Sequence, residues 1–381
     1  MKELSLYFHF PFCLKRCRYC DFVSYPRRDR SFHLEYEKAV FQEIAWKVEE
    51  ESLRGRELST VYLGGGTPSL LFPEDVERML SYLQGFFTFS PSVEITMEVN
   101  PETVNGDKIK AFQEAGVNRF SVGVQSFNPR FLYFLGRSSS LGQIENVLSS
   151  MEKIHCSSWS LDLLYSLPFQ SLPEWQQDIE HALIYHPPHL SIYNLTLSPV
   201  VPLYSFARRH SRVFPSPDEE ALYFEWTMEK LEQEGYIHYE ISNFAQPGAE
   251  CSHNLTYWRG GEYLGVGVSA WSYLGGRRQK NTSSLKNYLR RLEEGKSPLT
   301  FQEELEAHQK LAEDIMLRLR TKEGVQSSYL LTRYRRGEVE TKLKYLEYLS
   351  QEGFIIKEGE RFALSKKGIL VANQIFQEIL D

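Results

Sequence analysis

Cys13-Leu14-Lys15-Arg16-Cys17-Arg18-Tyr19-Cys20 gathers three of the chain's five cysteines into one short stretch, spaced C-x3-C-x2-C. It follows Ser5-Leu6-Tyr7-Phe8-His9-Phe10, an apolar and aromatic run that predicts a strand. Three thiolates on one loop after a strand can converge on a single inorganic centre, and they leave its fourth position open. A structural zinc site is closed and four-coordinate, so zinc would need a further Cys or His. An ordinary iron–sulfur cluster also prefers four cysteines. Held by only three, a [4Fe–4S] cluster keeps one iron open to a small molecule. The spacing allows a cluster, a zinc ion or thiols together by chance, and the cluster is preferred. A disulfide fits poorly, because nothing in the chain looks secreted.

Working outward, the 381 residues are long for one compact core but suit a barrel-type domain with an appendage. Hydrophobic residues at 42% and charged residues at 24% are those of a soluble globular protein. The net charge of −7, with Lys and Arg scattered, argues against nucleic acid as a partner. No apolar run approaches the about 20 residues of a transmembrane segment. Glu3 interrupts the N-terminal apolar stretch and no small-residue cleavage site follows, so no signal peptide is expected. Cys156 and Cys251 are isolated and read as small buried hydrophobes rather than a disulfide framework. The expected location is cytoplasmic, a reducing compartment.

Strand and helix patterns alternate from the start. Phe32 to Glu51 predicts an amphipathic helix, with Tyr36, Val40, Ile44 and Val48 at four-residue spacing. Strands are predicted at 59–63, 94–99, 119–124, 160–165 and 190–195, and helices at 73–86, 107–115, 143–153, 173–185 and 218–234. Six β–α repeats imply a parallel sheet, because each return to a parallel strand needs a crossover. Ligands of such folds sit beyond the carboxyl ends of the strands. The expected domains are 1–235, an aromatic-rich extension at 236–298, and a small winged-helix-like domain at 299–381. Within it, 236–244, 251–258 and 263–273 are expected to be irregular, and 275–298 to hold turns and a short basic helix. In the last segment Thr300-x-x-Glu303 reads as a capping box opening a helix to about Arg320. With 13 Lys and Arg against 14 Asp and Glu over residues 300–381, that domain has no electrostatic footprint for phosphates.

Several residue groups at predicted strand ends carry chemistry. Gly64-Gly65-Gly66-Thr67-Pro68 allows close backbone approach to a ligand, or is simply a tight turn. Glu98 can accept hydrogen bonds from a ribose, or is a solvated strand-end carboxylate. Gln125 offers an amide donor and acceptor, and Arg137 a fork matched to a carboxylate. In His253-Asn254-Leu255-Thr256-Tyr257-Trp258, an imidazole beside two aromatics can ligate heme iron; Cys251 is a competing axial ligand. A lone His is more often structural.

C-x3-C-x2-C followed by Asp21-Phe22 resembles the radical S-adenosylmethionine (SAM) superfamily, and the flanking residues narrow the likeness to the coproporphyrinogen III oxidase-like family, which includes the HemW heme chaperones. The resemblance implies an α/β fold, a partial (β/α)6 TIM-like barrel that is curled but not closed. It implies a [4Fe–4S] cluster on Cys13, Cys17 and Cys20. The open iron would then be chelated by SAM, which one electron cleaves to a 5′-deoxyadenosyl radical. Gly65, Gly66 and Thr67 resemble the family's GGE-type motif that meets the amino group of SAM. Glu98 is expected at the ribose or methionine, Arg137 at the SAM carboxylate, and Tyr7, Gln125 and Asp162 at further SAM contacts. His253 is expected to bind heme, as in the HNxxYW motif.

Within that family, Phe22 stands where the oxidase resemblance would call for a fourth cysteine. Only twelve residues precede Cys13, and the oxidase carries a longer leading segment. Both features, with the HNLTYW stretch, favour a chaperone that binds heme and delivers it to acceptor proteins, with an electron donor for the cluster. The alternatives are a radical SAM enzyme acting on a porphyrinogen and a SAM-binding structural protein. The chain departs from the family at Ser198-Pro199-Val200-Val201, at Trp271, and near Ser139.

Overall fold

A computed structural model describes residues 3–26, 29–154 and 158–380. Cys156 lies outside the described residues. The chain forms two compact units, one of Met1–Glu220 with Glu262–Glu303 and one of Ala221–Gly261 with Glu304–Asp381.

In the first unit, strands β1 (Leu4–Phe10), β2 (Glu57–Gly65), β3 (Thr88–Val99), β4 (Arg119–Gln125), β5 (Trp159–Tyr165) and β6 (His189–Asn194) pair in chain order, every neighbour parallel. Helices α1 (Arg30–Glu50), α2 (Pro73–Gln84), α3 (Gly106–Glu114), α4 (Pro129–Leu135), α5 (Leu141–Lys153) and α6 (Leu172–Leu183) lie in the crossovers. The strands read as near-continuous apolar runs because both faces are covered. Leu6, Val61, Leu63, Met97, Val122, Leu161 and Leu190 are buried. The alternating pattern predicts this arrangement, and the element bounds differ from the expected ones by a few residues. Strand β1 is paired on both edges, by β2 and, in parallel, by β7 (Tyr263–Val266). It therefore leaves no edge for β6, and the sheet does not close through a β1–β6 pairing.

Beyond β7 the same sheet continues through β8 (Trp271–Leu274) and β9 (Arg277–Asn281) to the strand Leu299–Glu304. Two expectations are corrected here. The region after Tyr263 is regular, not irregular. Thr300-Phe301-Gln302-Glu303 is strand, and the helix begins only at Ala307, where Glu306 and Gln309 supply the box. Sheet pairing overrides the local Thr-x-x-Glu signal: the Thr300 hydroxyl donates to the Lys280 carbonyl at 3.5 Å, and Arg278 meets Glu303 at 3.1 Å.

The extension is fastened by polar groups. Tyr36, Val40, Ile44 and Val48 are all buried, as the spacing predicts, but so are Glu43 and Lys47. Lys47 Nζ lies 3.1 Å from Glu43 Oε1 and donates to the Gly265 carbonyl at 2.9 Å and to Ser272 Oγ at 3.2 Å. Glu43 accepts from Asn281 Nδ2 at 2.6 Å, from the Gly267 amide at 2.8 Å, and from the Tyr288 hydroxyl. A buried ion pair persists only when its remaining hydrogen-bonding capacity is satisfied, and here the extension satisfies it.

The second unit contains the helix Ser252–Trp258, and a three-stranded antiparallel sheet of Val325–Gln326, Arg361–Leu364 and Ile355–Glu358 behind the helices Ala307–Leu319, Ser327–Arg333 and Arg336–Gln351. That is the expected winged-helix-like arrangement. Leu311, Ile315, Leu346, Phe362 and Phe376 form its core. Among the described residues no helix is long and apolar enough to cross a membrane.

Removing one partner of the Glu43–Lys47 pair leaves a buried charge uncompensated. Glu43→Ala is expected to lower unfolding stability by about 3–5 kcal/mol in urea denaturation; a loss below about 1 kcal/mol would contradict this account of the extension.

Candidate functional site

The carboxyl ends of the parallel strands surround a cavity of about 480 Å³. The cysteine loop covers one side. Its first residues pair with the returning chain, Phe12 against Tyr25 and Cys13 against Pro26. Arg16 donates twice to the Cys20 carbonyl, at 3.3 and 3.1 Å. The Arg18 amide donates to the Leu135 carbonyl, and the Arg18 carbonyl accepts from Leu203. The loop is thus held at both flanks. Cys13 is buried, Cys17 and Cys20 half-buried, and all three line the cavity. Burial pushes the Cys13 thiol up and Cys20 to about 11. Among the described residues no three His, Cys, Asp or Glu side chains are already gathered around one metal position.

The glycine loop lies against the cysteine loop. Gly66 donates to the Phe10 carbonyl at 2.7 Å and Thr67 to the Phe12 carbonyl at 2.8 Å. A Cβ on Gly66 would stand 2.6 Å from the Phe12 oxygen, so the close approach the glycines permit is first of all to the cysteine loop. At Gly65, φ is +114°, and a Cβ would meet the His9 ring at 2.6 Å. The His9 ring is itself fixed: Nε2 donates to the Val23 carbonyl at 3.0 Å, which leaves Nδ1 to accept from the Tyr7 hydroxyl at 3.1 Å. Tyr7 also stacks on Tyr62, with centroids 6.0 Å apart.

Glu98, Gln125, Arg137 and Asp162 join Gly65, Gly66 and Thr67 on the cavity wall. The structure brings all the expected strand-end residues together except Tyr7, which lies behind Gly64 and outside the lining. Glu98 accepts from the Gly65 amide and the Tyr62 hydroxyl, each at 3.1 Å. Burial, with the nearby Asp162 charge, outweighs these bonds and pushes Glu98 up to about 7. Burial likewise raises Asp162, against the hydroxyls of Ser121, Ser191 and Ser160. Gln125 has a left-handed backbone, φ 72°, at a register shift between β4 and β5.

Arg137 is committed to the frame. Its Nη2 donates to the Gly123 carbonyl at 2.6 Å and to Asn100 Oδ1 at 3.0 Å, and its Nη1 lies 3.9 Å from Cys17 Sγ. Only Nε is buried without a hydrogen-bond partner. Asn100 in turn donates to Thr67 Oγ1 at 3.1 Å. One chain of polar contacts thereby joins the glycine loop, the ends of β3 and β4, and a cysteine. Ser139 donates to the Glu102 carboxylate, which lies 3.9 Å from Arg137. Asn100, Glu102 and Tyr62 are among the wall residues that sequence reasoning did not single out. The Glu-x-Asn-Pro stretch contains the signal for the first.

Three thiols around one cavity, with the Arg137 side chain on its wall, fit a cluster with a small anionic ligand. The Arg137 guanidinium stands 3.9 Å from Cys17 Sγ at this cavity. His253 belongs to the second unit. It is buried on the helix Ser252–Trp258, and its Nε2 shares a hydrogen bond of 2.8 Å with the Tyr257 hydroxyl. Cys251 is buried at that helix's N-cap.

Residues 7–182 match the model of the radical SAM superfamily. Over 379 residues, covering 100% of this chain and 98% of the relative, the sequence is 31% identical to the heme chaperone HemW of Lactococcus lactis. The chain belongs to the HemW family of radical SAM proteins. The HemW of Escherichia coli is 39% identical over 272 residues, 71% of this chain and 70% of that one. The solved structure of the radical SAM enzyme coproporphyrinogen III oxidase, HemN, from Escherichia coli aligns with a TM-score of 0.86 at 26% identity, covering 99% of this chain and 90% of that one. In this HemW-family chain Phe22, two residues beyond Cys20, is 57% exposed and lines the cavity.

Glu98 has a folded pKa above its ordinary value of 4.5, so the fold favours the neutral carboxyl. That contribution is complete below about pH 4.5 and is lost as pH rises through about 7. Compared with Glu98→Gln, the unmodified chain is expected to lose up to about 3 kcal/mol of urea stability across this window. Parallel stability profiles for the two proteins would contradict the assignment.

Proposed function

We propose that the chain is a heme chaperone, which binds heme and passes it to acceptor proteins while carrying a [4Fe–4S] cluster and SAM. The observation that carries the reading is likeness to HemW along the full chain, the HNLTYW stretch included. Cys13, Cys17 and Cys20 would hold the cluster. Glu98, Asp162 and Gln125, with the Gly65–Thr67 backbone, would bind and orient SAM. A cluster on these thiolates would supply one-electron reducing chemistry, with an electron donor required from outside the chain. A cytoplasmic, reducing setting suits the half-exposed thiols.

Arg137 would hold Cys17 and the ends of β3 and β4 in register for that site, and would present its positive charge to the SAM carboxylate. At the second site, His253 would bind heme iron through the nitrogen that now meets the Tyr257 hydroxyl. Ligation there replaces one hydrogen bond of about 1 kcal/mol. A second reading, a porphyrinogen-oxidising enzyme, draws on the likeness to HemN. Phe22 speaks against it.

The test is anaerobic incubation of the reconstituted, reduced chain with SAM and coproporphyrinogen III, beside hemin titration followed by absorption. Stable hemin binding that weakens roughly tenfold or more in His253→Ala, without decarboxylation of the porphyrinogen, is expected. Protoporphyrinogen formation would overturn the chaperone reading in favour of the enzyme.

A further inference from the structure

The second unit contains a cavity of about 710 Å³, within the usual range for small-molecule sites. It is built on the strand Ile237–Glu240, which is tied to residues 320–322: the Ile241 amide donates to the Arg320 carbonyl, and the Lys322 amide to the Tyr239 carbonyl. Its lining includes the apolar Phe244, Leu319, Ile356, Leu364 and Ile369. It also includes four cations, Arg320, Lys322, Arg361 and Lys366, and three acids, Glu232, Glu240 and Glu358.

The cations differ in how they are paired. Arg361 meets Glu358 at 2.6 Å and Lys366 meets Glu232 at 2.6 Å. Among the described residues, neither Arg320 nor Lys322 has a carboxylate within ion-pairing distance. Arg320 is instead held over two rings, Phe376 at 4.6 Å and Trp258 of the HNLTYW helix at 5.1 Å. Burial lowers its pKa, the opposite of what a satisfied ion pair does. The nearest acid on the cavity wall, Glu240, already accepts from Asn243 and from the Ser242 amide at 3.3 Å, and burial pushes it up to about 7. The site therefore offers apolar walls and two cations, Arg320 and Lys322, that form no ion pair among the described residues.

Its histidine is already engaged. His238 is the histidine on the wall, and its Nε2 donates to the Ile241 carbonyl at 3.0 Å while its ring stacks on Phe244 at 4.2 Å. The cavity's chemistry thus suits the organic part of a ligand, an apolar body ending in carboxylates. Its strand also supports the HNLTYW helix, because the Cys251 amide at that helix's N-cap donates to the Tyr239 hydroxyl at 3.3 Å.

We infer that this cavity receives the carboxylate-bearing body of a porphyrin, with Arg320 and Lys322 meeting its carboxylates. The inference rests on the heme-chaperone reading and adds to it a second point of contact, distinct from the iron.

Lys322 and Lys366 are exposed, so reversing their charge spares the core. Metal-free protoporphyrin IX and its dimethyl ester serve as probes with the full chain, by fluorescence titration, and hemin is titrated in parallel. Protoporphyrin IX is expected to bind the unmodified chain and to bind the double variant Lys322→Glu, Lys366→Glu roughly tenfold more weakly or worse. The dimethyl ester is expected to bind weakly and equally to both. Thermal melting of the variant checks that it is folded; should it melt early, Lys322→Glu alone is used. Protoporphyrin affinity unchanged in the folded variant overturns the inference and leaves hemin binding at His253 standing. Failure of the unmodified chain to bind hemin overturns the heme-chaperone reading, and this inference with it.

Discussion

Two backbone hydrogen bonds, from Gly66 to Phe10 and from Thr67 to Phe12, lock the glycine loop onto the cysteine loop. Everything proposed for the cofactor site depends on this contact, since it fixes where the chain leaves β1 and therefore where the thiols stand. The contact has room for a hydrogen and nothing larger at Gly66. Behind it, Gly65 presents its amide to Glu98, and Thr67 meets Asn100, which meets Arg137, which reaches Cys17. A loop of three thiols would otherwise pay a large entropic cost to become ordered around a metal. Here its flanks are set by the parallel sheet itself.

The same economy of parts is seen on the other side of β1. Strand β7 takes the free edge, and the buried Glu43–Lys47 pair binds the backbone of that strand and of the turn after it. Tyr36 extends the connection, donating to the His9 carbonyl at 2.7 Å and accepting from the Val268 amide at 3.0 Å. His9 is the residue whose ring excludes any side chain at Gly65. The extension and the glycine loop thus brace the same end of β1 from opposite sides, which gives the buried charges a positional role that a purely apolar contact of similar area would not have.

Much of this was legible in the sequence, for identifiable reasons. The β–α alternation of the first unit is a strong periodic signal, and the cysteine spacing with Asp21-Phe22 is specific. The positions of Glu98, Gln125 and Asp162 follow from their places at strand ends. What failed did so because a local signal was outweighed by tertiary contacts: Thr300 to Glu303 matches a helix start but pairs with β9. The four-residue spacing on the first helix picks out Tyr36, Val40, Ile44 and Val48 and says nothing of Glu43 and Lys47, which are buried as an ion pair. Arg137 reads as a fork for a carboxylate, and no sequence pattern announces that its Nη2 also donates to Asn100 and Gly123. His253 was found by its motif, but no sequence pattern indicates that its Nε2 meets Tyr257, or that a cavity lies beside Arg320.

The most direct measurement is Mössbauer spectroscopy of the anaerobically reconstituted chain, with and without SAM. The account predicts about four irons per chain in a [4Fe–4S] cluster held by three thiolates. One of those irons should change its signal when SAM is added. A chain that takes up one zinc and no sulfide, or a cluster whose spectrum is identical with and without SAM, would contradict it.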